Sequence, residues 1–123
     1  QRVVIAKAIA QDPNLFLFDE PTSDLDLWYQ IEVMEEIKRL ISDTNIFKSA
    51  IVAIHDINMA VRYADKIMLL HDGNIEDFGE PEKVVTKENI AKVFGVSCDI
   101  FPATKDSPMR IYVKEKLSFN EEV

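Results

Sequence analysis

The stretch that decides the fold is LFLFDEPTSDLD, residues 15–26. Its apolar run, Leu15 to Phe18, leads directly into two carboxylates, Asp19 and Glu20, and then into a proline. A short continuous apolar run is typical of a strand that is covered on both faces in a parallel sheet. Ligands of open α/β folds bind at the carboxyl ends of such strands. The two acids are therefore candidates for a ligand site.

Two adjacent carboxylates can serve different parts of one phosphoryl-transfer reaction. One can hold Mg²⁺, a cation that prefers oxygen ligands and keeps several waters. The other can orient a water and take its proton during attack on a phosphoryl group. Because neighbouring strand residues point to opposite faces, Asp19 and Glu20 need not compete for one position. Each acid taken alone also has a plain structural explanation, as a polar end of a strand.

A second predicted strand also consists of an apolar run that ends in polar residues. Residues 50–54, AIVAI, predict a buried strand that ends in His55 and Asp56. A histidine there can donate a hydrogen bond to a terminal phosphate or hold the attacking water. Taken singly, His55 is more simply a polar strand end, so its functional interpretation depends on the acids of the first strand. Asp56 is expected to cap a helix that runs to about Ala64.

Helical patterns alternate with these strands. Residues 2–10 are apolar nearly all round, which predicts a buried helix. Residues 27–42 carry apolar side chains on one stripe of a helix, at Ile31, Met34, Ile37, Leu40 and Ile41. The resulting order of helix, strand, helix, strand and helix indicates a parallel sheet with crossover helices.

The rest of the chain has a different pattern. Asp72-Gly73 lies between two extended runs, which predicts a hairpin because both turn positions need positive φ. Thr86 is expected to cap a short helix that reaches Phe94, with Gly95 closing it. Residues 110–114, RIYVK, predict an edge strand, and the end, SFNEEV, is expected to be frayed.

Composition limits the function classes. The chain has 123 residues, of which 47% are hydrophobic, so it is one domain or a piece of a larger one. A net charge of -8 argues against a general nucleic-acid binder, because phosphate contacts require Lys and Arg. The single cysteine, Cys98, cannot form a disulfide within the chain and is interpreted as an ordinary thiol. No apolar run approaches the roughly 20 residues of a membrane span, and no signal peptide is visible.

In combination, the motifs resemble a known family. EPTS at residues 20–23 followed by DLD at 24–26 resembles the Walker B motif and D-loop of ABC-type ATPase domains. His55 resembles the H-loop histidine of that family. QR at residues 1–2 is similar to the segment just after the LSGGQ signature, and KIMLLHDGNIEDFGEP, residues 66–81, to the hairpin that follows the H-loop. The resemblance covers residues 1–96.

The resemblance implies a fold and a division of the chain. The fold is α/β, a P-loop NTPase (ABC ATPase, RecA-like) parallel sheet with flanking helices, here the C-terminal half only. A hairpin and a short C-terminal helical extension are expected to follow. Residues 1–80 would form the half-core with its motifs, and residues 81–123 the extension.

The resemblance also implies roles for particular residues. Asp19 would hold Mg²⁺ through water, Glu20 would be the general base for the attacking water, and His55 would contact the γ-phosphate of ATP. Ser23 and Asp26, in the D-loop, would contribute to the nucleotide site where it faces the partner subunit. The family more often has Ala at the position of Asp24, a departure that affects the D-loop.

Partners and location follow from the same resemblance. The expected partners are a second ATPase subunit in a homodimer, transmembrane permease subunits and, indirectly, a substrate-binding protein, with no nucleic acid. The expected cofactors are ATP and Mg²⁺. The expected location is cytoplasmic, peripheral on the inner face of the cell membrane.

Residues beyond the hairpin indicate which kind of ABC ATPase the sequence resembles. VVTKENIAKVFGV, residues 84–96, is similar to the tail of importer ATPases for iron-siderophores, haem and cobalamin. A nucleotide-binding subunit of a metal-chelate importer is therefore the favoured interpretation. The alternatives are an importer of another solute such as amino acids or phosphate, a soluble ABC-type ATPase acting on nucleic acid or ribosomes, and a non-catalytic truncated interaction module.

The phosphate-binding parts of the family are not in this sequence. Its three glycines, Gly73, Gly79 and Gly95, are not followed by Lys-Ser or Lys-Thr, so no Gly-rich phosphate loop is present. The signature loop, the Q-loop and the adenine-stacking aromatic are missing as well. We therefore expect a C-terminal half that alone does not hydrolyse ATP, since positioning dominates phosphoryl transfer. An open sheet edge is expected to favour domain-swapped or other self-association.

Overall fold

The computed structural model describes residues 14–42 and 47–118. The helix predicted over residues 2–10 and most of the predicted frayed end lie outside the described residues. Contacts group the chain into two compact units, residues 1–55 and 56–123. The division near residue 80 was drawn from motifs and stays a prediction. Within the described ranges, no helix is long and apolar enough to cross a membrane.

The first unit is built on a parallel strand pair. Strand β1 (Leu15–Asp19) and strand β2 (Ser49–Ala53) are joined through helix α1 (Leu27–Ser42). The strands pair in parallel, with Leu15 opposite Ser49 and Asp19 opposite Ala53. Helix α1 buries three side chains, Val33, Met34 and Ile37. The predicted strand–helix–strand arrangement with a parallel pair is confirmed here, with the second strand shifted by one residue.

The expectation that both strands are covered on both faces is wrong. Phe16 and Phe18 are 2% and 7% exposed, whereas Leu15 and Leu17 are 51% and 73% exposed. In β2, Ile51 is 61% exposed. Side chains alternate between the faces of a strand, so one face is packed and the other is open. A parallel sheet needs helices on both faces to be covered, and α1 is the only helix among the described residues of this unit.

The second unit begins with a capped helix. Helix α2 (Ile57–Tyr63) starts after Asp56. The Asp56 carboxylate accepts hydrogen bonds from the backbone N–H groups of Asn58 and Met59, at 3.0 and 3.2 Å. These bonds satisfy two of the N–H groups that a helix start leaves unpaired. The predicted cap and the predicted helix are confirmed.

The hairpin is also confirmed. Strand β3 (Ile67–His71) pairs in antiparallel fashion with strand β4 (Asn74–Gly79). The connecting residues Asp72 and Gly73 have φ values of 50° and 76°. Both values are positive, as a type I′ turn requires. The pairing register shifts between Leu69 and Leu70, which marks an irregularity in the ladder.

Two short helices follow the hairpin, α3 (Pro81–Val84) and α4 (Lys87–Phe94). Thr86 caps α4, since its hydroxyl oxygen accepts the N–H of Asn89 at 3.1 Å. Gly95 ends the helix with φ of 68°, a left-handed conformation that glycine adopts without strain. Both ends of α4 are as the sequence predicted.

The C-terminal part contains one strand more than expected. Strands β5 (Val96–Phe101) and β6 (Arg110–Lys116) form an antiparallel pair. The predicted edge strand over residues 110–114 is confirmed and extends two residues further. Strand β5 was not predicted, although Val96, Cys98 and Ile100 alternate with Ser97 and Asp99 as a strand requires. The extension is therefore helical only in its first part.

The second unit has a closed apolar core. Its members come from α2, β3, the α3–α4 segment, β5 and β6. They are Val61, Ile67, Leu69, Val84, Val85, Ile90, Cys98, Met109 and Ile111. Packing in this core therefore holds the two short helices against strands of both antiparallel pairs.

Candidate active site

The parallel register brings the carboxyl ends of β1 and β2 side by side. Asp19 lies opposite Ala53 at the last step of the ladder. The pairing continues one residue further, since the Glu20 N–H donates to the Ala53 carbonyl at 2.8 Å. Residues that follow the two strands therefore leave the sheet at one edge, as the fold rule for ligand sites requires.

A tight turn carries the chain away from β1. Glu20 and Asp24 have positive φ values of 49° and 63°, which is uncommon for residues other than glycine. The Ser23 N–H donates to the Glu20 carbonyl at 3.1 Å, and the Leu25 N–H donates to the Thr22 carbonyl at 3.3 Å. This turn fixes the direction in which the backbone leaves Glu20.

Glu20 and His55 meet at this edge. The His55 Nε2 atom contacts the Glu20 Oε1 atom. The Glu20 side chain is 38% exposed and the His55 side chain 90% exposed, so a solute can reach both. The structure thus brings together the two residues to which the sequence analysis gave catalytic roles. A carboxylate and an imidazole in contact can accept, hold and donate protons at one point.

Asp19 precedes Glu20 and has an exposed side chain. Within residues 14–42 and 47–118, no group of three or more His, Cys, Asp or Glu side chains is arranged to hold a metal ion. Mg²⁺ at nucleotide sites usually takes one or two carboxylates together with waters and substrate phosphates. A lone exposed carboxylate at a strand end fits that mode of binding and does not fit an all-protein metal site.

The two D-loop residues have different surroundings. Asp26 caps α1, because its Oδ1 atom accepts the Tyr29 N–H at 3.0 Å. Ser23 is exposed in the turn after β1. The Gln30 Nε2 atom donates to the Leu25 carbonyl at 3.0 Å and ties the first turn of α1 to the loop. The sequence analysis missed Gln30, and the only available signal was a polar side chain near a predicted helix start.

Comparisons with known proteins give the class. No family model matches the chain. A petrobactin import ATP-binding protein of Bacillus anthracis is 39% identical over 117 residues, which cover 93% of this chain and 42% of the relative. Other relatives are named for import or transport of cobalamin, achromobactin, hemin and ferric enterobactin. The chain spans less than half the length of each of these relatives.

Solved structures that are similar to this chain belong to the same kind of protein as these relatives. A metal-chelate-type ABC transporter in an inward-facing conformation matches with a TM-score of 0.79 and 31% identity, over 93% of this chain and 46% of that chain. A dimeric ATP-binding cassette in a post-hydrolysis state, bound to ADP and phosphate, matches with a TM-score of 0.58 and 36% identity, over 65% of this chain and 33% of that chain.

These matches show that the chain is similar to ABC ATPase domains, with an α/β fold that corresponds to part of such a domain. More narrowly, the chain is homologous to ABC transporter ATP-binding proteins, and most of the named relatives serve iron-siderophore, haem and cobalamin import. The resemblance that the motifs carried is confirmed.

Proposed function

We propose that this chain is part of the nucleotide-binding subunit of an importer, and that the subunit couples ATP hydrolysis to import of a metal chelate of the iron-siderophore, haem or cobalamin type. One observation carries the proposal: Glu20 and His55 are in contact at the aligned ends of two parallel strands, next to Asp19. The names of the relatives support the substrate class.

Each residue of the proposed site has one task. Glu20 accepts a proton from the water that attacks the γ-phosphate, since its carboxylate is accessible and its backbone is held by the turn that follows β1. His55 contacts the γ-phosphate and orients the same water. Asp19 holds Mg²⁺ through water, and the bound ion neutralises negative charge on the phosphates. The contact between Glu20 and His55 supports these tasks because both must reach one phosphoryl group.

The partners belong to the same proposal. A second ATPase subunit would face Ser23 and Asp26 across a homodimer, as the dimeric state of a structural relative supports. Permease subunits would bind the ATPase at the inner face of the cell membrane, and a substrate-binding protein would act through them. Asp26 would keep its capping bond to Tyr29 in such a dimer, because its second carboxylate oxygen is a further acceptor.

The 123 residues alone are proposed to be inactive in ATP hydrolysis. None of the three glycines is part of a Gly-rich phosphate loop. Backbone N–H groups of such a loop position the phosphates, and positioning supplies most of phosphoryl-transfer catalysis. Self-association of the chain, by domain swapping or by pairing of open strand edges, is part of the proposal as well.

A chimera tests the catalytic roles. This chain replaces the matching segment of the petrobactin relative from Bacillus anthracis, which supplies the remaining parts of the subunit. We expect Mg²⁺-dependent ATP hydrolysis that falls by at least about 100-fold on Glu20→Gln, the usual range for loss of a general base. His55→Ala is expected to lower turnover as well. The matched control is Glu35→Gln, an exposed glutamate on α1 that is expected to leave turnover unchanged.

Two outcomes of the chimera experiment would contradict the proposed roles. Binding of Mg-ATP is measured in parallel, so that a misfolded chimera is distinguished from an inactive one. A chimera that binds Mg-ATP but keeps its turnover after Glu20→Gln would show that Glu20 is not the base. One that binds Mg-ATP without hydrolysing it in any form would contradict the proposed site as a whole.

A further inference from the structure

Asn58 makes an unusual pair of hydrogen bonds within the second unit. Its Nδ2 atom donates to the Ile111 carbonyl at 2.9 Å, and its Oδ1 atom accepts the Ile111 N–H at 2.7 Å. The two residues are 53 positions apart in the sequence. A side-chain amide has a donor and an acceptor side by side, as a peptide group has. Asn58 therefore bonds β6 in the way that a neighbouring strand would.

The partner residue is the anchor of its strand. Ile111 is 4% exposed and belongs to the closed core, whereas the other residues of β6 are exposed. Its side chain is thus held by packing, and its backbone N–H and carbonyl are held by Asn58. The paired strand β5 is positioned by the same ladder. Through one residue, the β5–β6 pair is fixed to helix α2.

Asn58 also belongs to the start of α2. Its backbone N–H donates to the Asp56 carboxylate at 3.0 Å, as part of the helix cap. Helix α2 has 7 residues, of which Val61 alone is buried. Helices shorter than about 12 residues are marginal without tertiary contacts. Together with the packing of Ile57 and Ala60 against the core, the bonds to Ile111 hold the first turn of this helix.

We propose that Asn58 is a positioning residue for His55. The chain passes from His55 directly to Asp56, so the first turn of α2 fixes the backbone that leaves the histidine. Loss of the bonds to Ile111 would release that turn and widen the range of orientations open to the imidazole. The functional importance of this coupling rests on the proposed function, in which His55 contacts the γ-phosphate.

A matched control exists on the neighbouring helix. The Asn89 Nδ2 atom donates to the Asp77 carboxylate at 2.9 Å and to the Val84 carbonyl at 2.7 Å. Asn89 thus ties α4 to the β3–β4 hairpin with bonds of similar length, and it is not part of α2. Asn89→Ala removes comparable hydrogen bonds from the same unit without touching the proposed coupling.

The test compares Asn58→Ala and Asn89→Ala by NMR on the whole 123-residue chain. The measured quantities are hydrogen exchange of the α2 amides and the ring resonances of the two histidines. With Asn58→Ala, we expect the α2 amides to exchange about tenfold faster or more, which corresponds to about 1.4 kcal/mol. The His55 ring resonance is expected to move, and the His71 resonance is expected to stay. Asn89→Ala is expected to leave α2 exchange and the His55 resonance unchanged.

The coupling is overturned if Asn58→Ala leaves α2 exchange and the His55 resonance unchanged, or if Asn89→Ala changes them equally. If Asn58→Ala does not fold, Asn58→Asp is used, because it keeps the acceptor for the Ile111 N–H and replaces the donor with an oxygen that repels the Ile111 carbonyl. That variant should change α2 exchange and the His55 resonance in the same direction, and no change would refute the coupling. No nucleotide is used, so this test and the hydrolysis assay of the chimera can fail independently.

Discussion

The two units differ in the size of their apolar cores, although each leaves several large apolar side chains exposed. The first, residues 14–42 and 47–55 as described, leaves Leu17 of its strand pair 73% exposed. The second closes a core in which Ile90 and Val84 are each 1% exposed. All the proposed site residues, Asp19, Glu20, Ser23, Asp26 and His55, lie in the first unit. The proposed chemistry thus lies in the unit that has fewer buried apolar residues among those described.

The largest expected effect tests that difference directly. Ile90→Ala removes a fully buried side chain and should lower the free energy of unfolding by about 2–5 kcal/mol. Leu17→Ala removes a mostly exposed side chain and should change it by no more than about 0.5 kcal/mol. Urea unfolding of both variants beside the unmodified chain measures the two values.

A different order of these two free-energy changes would contradict the expectation. If Leu17→Ala cost as much as Ile90→Ala, the open face of β1 would be covered in solution. The exposure of Leu17 in the structure would then not describe the chain as it exists in water. Agreement with the expected ranking would show that the side chains left exposed on β1 contribute little to stability.

The next prediction concerns what the open strand pair does in solution. Among the described residues, β1 pairs only with β2, so each strand has one unpaired edge. Such edges recruit other strands, and a lysine on the strand discourages this. We expect the mass measured by sedimentation to rise with concentration, and Leu17→Lys to shift the chain toward monomer. Leu27→Lys is the control, since Leu27 is 76% exposed but lies at the start of helix α1.

A monomer at every concentration would refute the self-association proposed for this chain. An equal shift with Leu27→Lys would show that added charge, rather than blocking of a strand, causes the change. Either result would remove the open strand pair as the explanation.

Local features were predictable from the sequence because their causes are local. The cap at Asp56, the Asp72-Gly73 turn and the ends of α4 each depend on residues within a few positions. The sequence also predicted that His55 could reach the edge where the acids of β1 lie, since the ends of parallel strands meet at one edge of a sheet. The direct contact of His55 with Glu20 was not predicted.

Features that depend on distant partners were not predictable. An apolar run such as Leu15 to Phe18 does not show whether both faces of its strand are covered, because the cover comes from other segments. The bonds between Asn58 and Ile111 join residues 53 positions apart, and neither residue has a local signal for the other. Strand β5 is a different case, because Val96, Cys98 and Ile100 alternate with Ser97 and Asp99, so a local signal was present and was missed.

The smallest predicted effect is a pH dependence of the unfolding free energy, which arises from a thiol in the core of the second unit. Burial raises the pKa of the Cys98 thiol above its ordinary value of 9.0, and nearby Asp99 also raises it, whereas Lys87 and Lys114 lower it. In the unfolded chain the thiol loses its proton first as pH rises, so folding stability is complete below pH 9.0 and falls toward the higher pKa of the folded state. We expect unfolding free energies of the unmodified chain and Cys98→Ala to diverge above pH 9.0, by less than about 1.4 kcal/mol per pH unit. Parallel curves from pH 8 to 10.5 would mean that the thiol is as accessible as in the unfolded chain, and that the core of the second unit opens readily.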